Sequence, residues 1–280
     1  MKKNLILLVV AALAFCSCAK TFNQVLKSPD NEYKYEYAKE LYASGKYSQA
    51  ISLLQDVVTI LKGTEKAEES LFMLSMAQFH YKDYETAAEY FKRYCKSYPK
   101  GIYAEQACYY IGESLYYSTP EPRLDQTETV NAIAAFQESL DIYTDSNGKE
   151  RAQERLIQLQ DKLVRKELLS AQLYFNLGSY FGNCLTGGSN YEACIITSQN
   201  ALKDYPYSRE REAFSLLIMK SKYHLAKQRV EAKQEERYRD AEDECYGFIN
   251  EYPESKDRKL AENYIAQCKK RLGERETEEF

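Results

Sequence analysis

Leu41-Tyr42-Ala43-Ser44-Gly45-Lys46-Tyr47, flanked by Ala38 and Ala50, is the stretch that decides the fold. Small residues recur around it at a fixed interval: Ala38, Ser75 and Gly112 stand 37 residues apart, each within an amphipathic helical pattern. Lys34, Leu71 and Cys108 precede them by four residues and Leu41, Gln78 and Leu115 follow by three, so each set shares one helical face. A second helix follows at Tyr47 and Tyr84, with Ala50 and Ala87 three residues on and Leu54 and Phe91 four beyond those. Small residues on both helices mark the place where the two cross. The unit is a helix–turn–helix, and a fixed period of this length is the signature of stacked repeats.

Later units keep this pattern but carry insertions. Ser118-Thr119-Pro120-Glu121-Pro122 breaks the third unit between its helices, because two prolines cannot continue a helix, and Ala132 and Phe136 supply its second-helix pair. The fourth begins with a long helix from about Glu150 through Gly178, then meets Gly182, Gly187 and Gly188 before Tyr191, Cys194 and Ser198. The fifth runs from Glu212 through a charged extension, Lys227 to Arg237, into Tyr238, Ala241, Cys245 and Phe248. Tyr98-Pro99, Tyr205-Pro206 and Tyr252-Pro253 close three of the units, the proline stopping the second helix. A last helix from about Asp257 to Leu272 is expected to cap the stack, with a frayed tail over 274–280. The pattern resembles the tetratricopeptide repeat. The expected fold is all-α, a tetratricopeptide-like α-solenoid of about five helix pairs plus a C-terminal capping helix, with a concave surface suited to binding.

The N-terminus fixes an expected compartment. Lys2 and Lys3 precede an apolar run from Leu5 to Phe15, long enough for the core of a secretory signal but too short for the ~20 residues that span a bilayer. It ends in Phe15-Cys16-Ser17-Cys18, which resembles a bacterial lipoprotein signal. Cys18 is the expected lipidation site, since Ser17 is small where the peptidase cuts and Phe15 before Cys16 is bulky. By that resemblance residues 1–17 are removed, 18–30 form a lipidated linker, and the lipid on Cys18 is covalent, with no other cofactor expected. Each buried methylene adds about 0.8 kcal/mol to membrane attachment, so several acyl chains anchor permanently. Ala19-Lys20-Thr21-Phe22-Asn23 carries no acidic retention or export tag, so the implied address is the periplasmic face of the outer membrane.

Composition excludes other classes. Charged residues form 29% of the chain but the net charge is only −4, which leaves no electrostatic footprint for nucleic acid. Two histidines, His80 and His224, lie far apart in sequence, no HExxH, GxSxG or P-loop pattern occurs, and no cysteine pair in the mature part has metal-site spacing, so neither catalytic nor metal residues are expected. Cys95, Cys108, Cys184, Cys194, Cys245 and Cys268 survive processing at irregular spacing and read mostly as small packing residues. Cys184 and Cys194, which bracket the glycine-rich insertion, are the expected disulfide candidates.

One regularity goes beyond packing. Tyr35, Phe72 and Tyr109 form one aromatic column along the first helices of units one to three, and Tyr42, Phe79 and Tyr116 form a second, seven residues on and so on the same face. They can pack against the next repeat. Alternatively, they floor a groove, with Met76, His80 and Tyr117 beside it, that suits an extended peptide of roughly 6–10 residues at about 3.3 Å per residue.

Signal, linker and five degenerate repeats together resemble the BamD family, lipoprotein components of the machinery that folds β-barrels into the outer membrane. The resemblance rests on Lys27-Ser28-Pro29-Asp30-Asn31-Glu32-Tyr33-Lys34-Tyr35, on Leu163-Val164-Arg165-Lys166-Glu167-Leu168 with Ala171 and Tyr174, and on Arg237-Tyr238 through Phe248 to Ser255. It implies that repeats 1–3 (31–145) receive the C-terminal targeting strand of an unfolded barrel, a role that falls on the two aromatic columns. It implies too that repeats 4–5 and the cap (146–273) dock on a BamA-like insertase, with Arg209, Arg211, Arg237 and Arg239 as candidate contacts. A periplasmic repeat scaffold of cell-wall or cell-division complexes, and a glycan-capturing surface lipoprotein, are the alternative readings.

Overall fold

The computed structural model describes residues 22–143, 148–180, 189–228 and 233–276. The signal segment with Cys16 and Cys18, the insertion with Gly182, Cys184, Gly187 and Gly188, and part of the charged extension lie outside those residues.

Every regular element among the described residues is a helix, and the pairs follow the expected period. Repeat 1 is α1 (Asn31–Ala43) and α2 (Tyr47–Ile60), repeat 2 is α3 (Lys66–His80) and α4 (Tyr84–Ser97), and repeat 3 is α5 (Ala104–Ser118) and α6 (Thr127–Ile142). Repeat 4 pairs the long α7 (Lys149–Leu177) with α8 (Asn190–Asp204), and repeat 5 pairs α9 (Arg211–Ala226) with α10 (Gln234–Glu251). The final helix, α11 (Arg258–Glu276), continues through Gly273 instead of ending before it, since a single glycine weakens a helix by only about 1 kcal/mol. No described helix is long and apolar enough to cross a membrane.

Helix ends explain why the pairs form where they do. Asp30 caps α1 by accepting from the Tyr33 N–H, Asp83 caps α4 through the Thr86 N–H, and Ser189 opens α8 with a capping box completed by Glu192. The turn inside repeat 1 closes with Gly45 at φ +73°, its N–H on the Tyr42 carbonyl and the Lys46 N–H on that of Leu41. Repeat 2 makes the same turn, but its left-handed position holds Lys82 at φ +67°. The Tyr-Pro closures are also one conformation: Tyr98, Tyr205 and Tyr252 all have φ near −130° and ψ near +60°, outside the α region that a following proline disfavours, and each donates its N–H four residues back. Tyr143 closes repeat 3 with nearly the same backbone.

Packing divides the chain into two compact units, one of residues up to Pro120 with Asp125–Leu159, the other of Glu121–Leu124 with Gln160 onward. The division falls inside α7, not near residue 145. The first turns of α7 give Ala152 and Leu159 to a cluster with Tyr109, Ala132 and Phe136, whereas its later turns give Val164, Leu168 and Ala171 to Cys194 and Phe214. In the first unit the predicted small residues Ala38, Ala50, Ser75 and Ala87 are wholly buried, and Leu54 and Phe91 fill the space around them. Gly112 permits the closest approach: a β-carbon there would lie 2.7 Å from the Phe136 ring. The second unit repeats the arrangement with Ala241, Cys245 and Phe248 of α10 against Ala261 and Cys268 of α11. Each buried Leu, Val or Phe side chain contributes on the order of 1.5–3 kcal/mol.

Candidate functional site

At the turn end of the repeats, one three-ring arrangement recurs. Tyr42 ends α1, Tyr47 opens α2 and His80 ends α3; His80 stacks on Tyr47 at 4.9 Å and 20°, while Tyr42 meets Tyr47 edge-on at 5.7 Å and lies 6.1 Å from His80. One repeat on, Tyr117 stacks on Tyr84 at 5.0 Å and 19°, with Phe79 edge-on to both at 5.5 and 5.9 Å. In the second unit His224 stacks on Tyr191 at 5.4 Å and 13°, with Phe175 edge-on to both at 5.9 and 5.7 Å. The rings thus link the turn of each helix pair to the helix that follows. Edge-to-face pairs of this kind are worth about 0.5–1.5 kcal/mol each beyond their burial.

In the first unit two of these clasps share a border, because Phe79 and His80 are neighbours with rings 5.9 Å apart. The result is a continuous strip from Tyr42 and Tyr47 through His80 and Phe79 to Tyr84 and Tyr117, with Tyr110 beneath Phe79 at 5.0 Å. His80 and Tyr117 are exposed, and Tyr42, Tyr47, Phe79, Tyr84 and Tyr116 are half-buried. The second sequence column named Tyr42, Phe79 and Tyr116, and His80 and Tyr117 were placed beside it, but Tyr47, Tyr84 and the whole second-unit clasp were missed. A spacing of 33 residues between Tyr47 and His80, Tyr84 and Tyr117, and Tyr191 and His224 is the signal that would have found them.

The other column is mostly interior. Tyr35 is 1% exposed, its hydroxyl donating to Glu69 at 2.5 Å and its ring beneath the Lys39 and Lys66 ammonium groups. Tyr109 is 8% exposed, donates to Glu113 at 3.0 Å and packs on Phe136. Met76 is likewise buried. Phe72, half-buried, stacks on Tyr103 at 4.4 Å. Tyr35, Met76 and Tyr109 offer almost no surface to a ligand, and Phe72 is partly covered by Tyr103, as in the packing reading.

Electrostatics close one end of the strip. Arg155 of α7 lies on the Tyr116 ring at 4.2 Å and donates through Nε and Nη2 to the two oxygens of buried Glu113, at 3.1 and 2.8 Å. The Tyr116 hydroxyl donates to Gln158 at 2.7 Å. Burial pushes the Tyr42 phenol up to about 12, so it stays a hydrogen-bond donor at any physiological pH. Burial holds the His80 imidazole below its ordinary range, and burial with Lys227 and Lys220 does the same to His224, so both rings stack as neutral groups.

The four docking arginines divide into two kinds. Arg211 braces its own unit, donating to the Pro206 carbonyl at 3.1 Å and to Glu251 at 2.9 Å, and Arg237 reaches Glu192 and the Leu225 carbonyl. Arg209 and Arg239 are exposed, the latter paired with Glu235 one turn earlier on α10. Cys184 lies outside the described residues, and Cys194 is wholly buried, its thiol beside Ser198 and Ser221. The pair that meets is Cys95 with Cys108, which sequence spacing did not single out. Among the described residues no group of three His, Cys, Asp or Glu could hold a metal ion.

Residues 28–223 match the family model YfiO, described as an outer membrane lipoprotein. The provisionally named outer membrane protein assembly factor BamD of Aquifex aeolicus (strain VF5) is 26% identical over 235 residues, 82% of this chain and 72% of that protein. Solved structures with a likeness include the TPR2AB-domain:pHSP90 complex of yeast Sti1, at 12% identity, TM-score 0.39, 85% of this chain and 98% of that one. Another is the assembly chaperone of RpL4, at 14% identity, TM-score 0.28, 89% of this chain and 99% of that one. The family match starts just before α1, takes in every repeat of the first unit and ends at Tyr223 in α9, and on that extent the chain belongs to the YfiO family of outer membrane lipoproteins.

Proposed function

We propose that this protein is a non-catalytic subunit of outer-membrane β-barrel assembly, held by a lipid on Cys18 at the periplasmic face of the membrane. Repeats 1–3 hold the C-terminal targeting strand of an unfolded barrel and repeats 4–5 dock on a BamA-like insertase. The observation that carries the reading is the aromatic strip. Its neighbouring rings lie 4.9–6.1 Å apart and run on without a break, so the same-face side chains of an extended strand, ~6.6 Å apart, each meet an aromatic surface along it. Tyr42, Tyr47, Phe79 and Tyr110 pack on the core of the first unit, so little of their side-chain entropy is lost when a ligand stacks on the strip. The membership in an outer membrane lipoprotein family and the name of the Aquifex relative support the same role.

The lipid anchor and the docking half rest on separate grounds. Cys18 follows small Ser17 at the end of the apolar run, and Arg209 and Arg239, the two exposed arginines of the four, are the proposed polar contacts, Arg239 exchanging its Glu235 pair for a partner carboxylate. Binding of a labelled peptide from the C-terminus of a barrel protein, followed by fluorescence anisotropy, tests the strand reading. Replacing His80 and Tyr117, the most open rings, by Ala together is expected to weaken affinity about tenfold or more with unchanged helical content, whereas Tyr33→Ala leaves it unchanged. Equal affinity in wild type and the double variant removes the strip as the strand's site. Co-purification of an insertase-sized membrane partner, lost on replacing Arg209 and Arg239 by Glu, tests the docking half.

A further inference from the structure

The Sγ atoms of Cys95, in the last turns of α4, and Cys108, in the first turns of α5, lie 2.8 Å apart. Both residues are partly exposed, while Cys194, Cys245 and Cys268 are buried. They open onto a recess of about 1500 Å³ between α4 and α6, where Lys92, Arg93 and Lys96 line one wall and Glu138 and Tyr143 another. We propose that Cys95 and Cys108 are a redox site that closes to a disulfide joining repeat 2 to repeat 3.

The movement needed is small, because a disulfide requires an S–S separation of about 2.05 Å. Access is open from the recess, whose volume admits a small disulfide oxidant such as glutathione disulfide. The pair is chemically asymmetric. Cys108 is held below the usual thiol range by the neighbouring Cys95 thiol and by a hydrogen bond from Tyr143, while Cys95 is pushed up by the contact with Cys108 and by burial. Cys108 is therefore the attacking thiolate. It attacks one sulfur of the oxidised glutathione; that S–S bond breaks, a Cys108–glutathione disulfide forms and one glutathione thiolate leaves. Cys95 then loses its proton and attacks the Cys108 sulfur, expelling the second thiolate. The two cysteines are oxidised by two electrons, the oxidant is reduced to two glutathiones, and the two protein protons end on them.

The bond would act beside the aromatic strip. Phe91 stands one helical turn before Cys95 and stacks on Tyr110 of α5 at 5.4 Å, and Tyr110 in turn touches Phe79. Joining α4 to α5 at this point would hold the two repeats that supply Phe79, His80, Tyr84 and Tyr117 of the strip in a single register.

The test treats the full mature chain, purified with its lipid, with oxidised glutathione and analyses it without reduction. Expected are a mass lower by two hydrogens, a digest in which the Cys95 and Cys108 peptides are cross-linked, and a raised melting temperature that Cys95→Ser does not show. Cys95→Ser is expected to stop at a stable glutathione adduct on Cys108, and Cys108→Ser to react far more slowly. Full alkylation of both thiols after treatment, or a glutathione adduct retained by the wild-type pair, overturns the proposal. Equal adduct formation by the two serine variants overturns the order of attack.

Discussion

His224 lies face-on against Tyr191, ring centroids 5.4 Å apart and planes 13° apart, as His80 lies against Tyr47 in the other unit. The two histidines of the chain are therefore equivalent residues, each ending the first helix of a repeat and covering the tyrosine that opens the second helix of the repeat before. Tyr117 on Tyr84 shows that an aromatic hydrocarbon ring does the same work. The position selects a flat side chain, and the histidine fits it in the neutral form.

That preference has a consequence for pH. Burial first, then the charges of Lys227 and Lys220, hold His224 below its ordinary range when folded, whereas the unfolded chain titrates near pH 6.5. Between those two values the unfolded state binds more protons, so stability is retained above about pH 6.5 and is lost as pH falls towards the folded value. Thermal melting of the wild type is expected to fall between pH 7.5 and 5.5, and His224→Phe to flatten that slope. Parallel pH curves for the two proteins would count against the stack as the titrating element.

Gly112 tests the closeness of α5 and α6. A β-carbon there meets three atoms of the Phe136 ring at 2.7–2.8 Å, and the ring is wholly buried with no room to retreat. Gly112→Ala is expected to destabilise by about 1–3 kcal/mol in urea unfolding despite the better helix propensity of alanine, and Phe136→Leu in the same chain should recover part of that loss.

Lys82 occupies the left-handed position that glycine fills at Gly45. Lys82→Gly is expected to raise stability by about 0.5–1 kcal/mol, measured as a higher urea midpoint, while Gly45→Lys lowers it by a similar amount. No change in either variant would mean that the turn relaxes around its occupant.

Glu113 accepts three hydrogen bonds at the end of the strip, two from Arg155 and one from the Tyr109 hydroxyl. Glu113→Ala leaves a half-buried guanidinium without its counter-charge, an expected loss of about 1–3 kcal/mol by denaturant titration. Glu113→Gln, which keeps the acceptor oxygen, should lose less.

The helix pairs were legible because their cause is periodic. Ala38, Ser75, Ala50 and Ala87 must be small wherever two helices cross, and prolines after Tyr98, Tyr205 and Tyr252 forbid the helix from continuing. Ends were less legible: α11 passes through Gly273, since one glycine costs a helix only about 1 kcal/mol. The aromatic columns were read as a single face because seven residues is nearly two turns, yet Tyr35 and Tyr109 are buried and Tyr42 and Phe79 are not. The difference arises at the other helix, where Glu69 and Phe136 cover the first set and the turn leaves the second open.

Read alone, the chain specified an all-α repeat and its register, since crossing points and helix stops are local requirements that recur every 37 residues in its first three units. Which rings stay open, which arginines are taken by Glu251 and Glu192, and which thiols meet were settled by packing. Those contacts join residues 13 to 45 positions apart on helices whose facing surfaces depend on turn geometry, and no pattern within one helix specifies its neighbour's side chains.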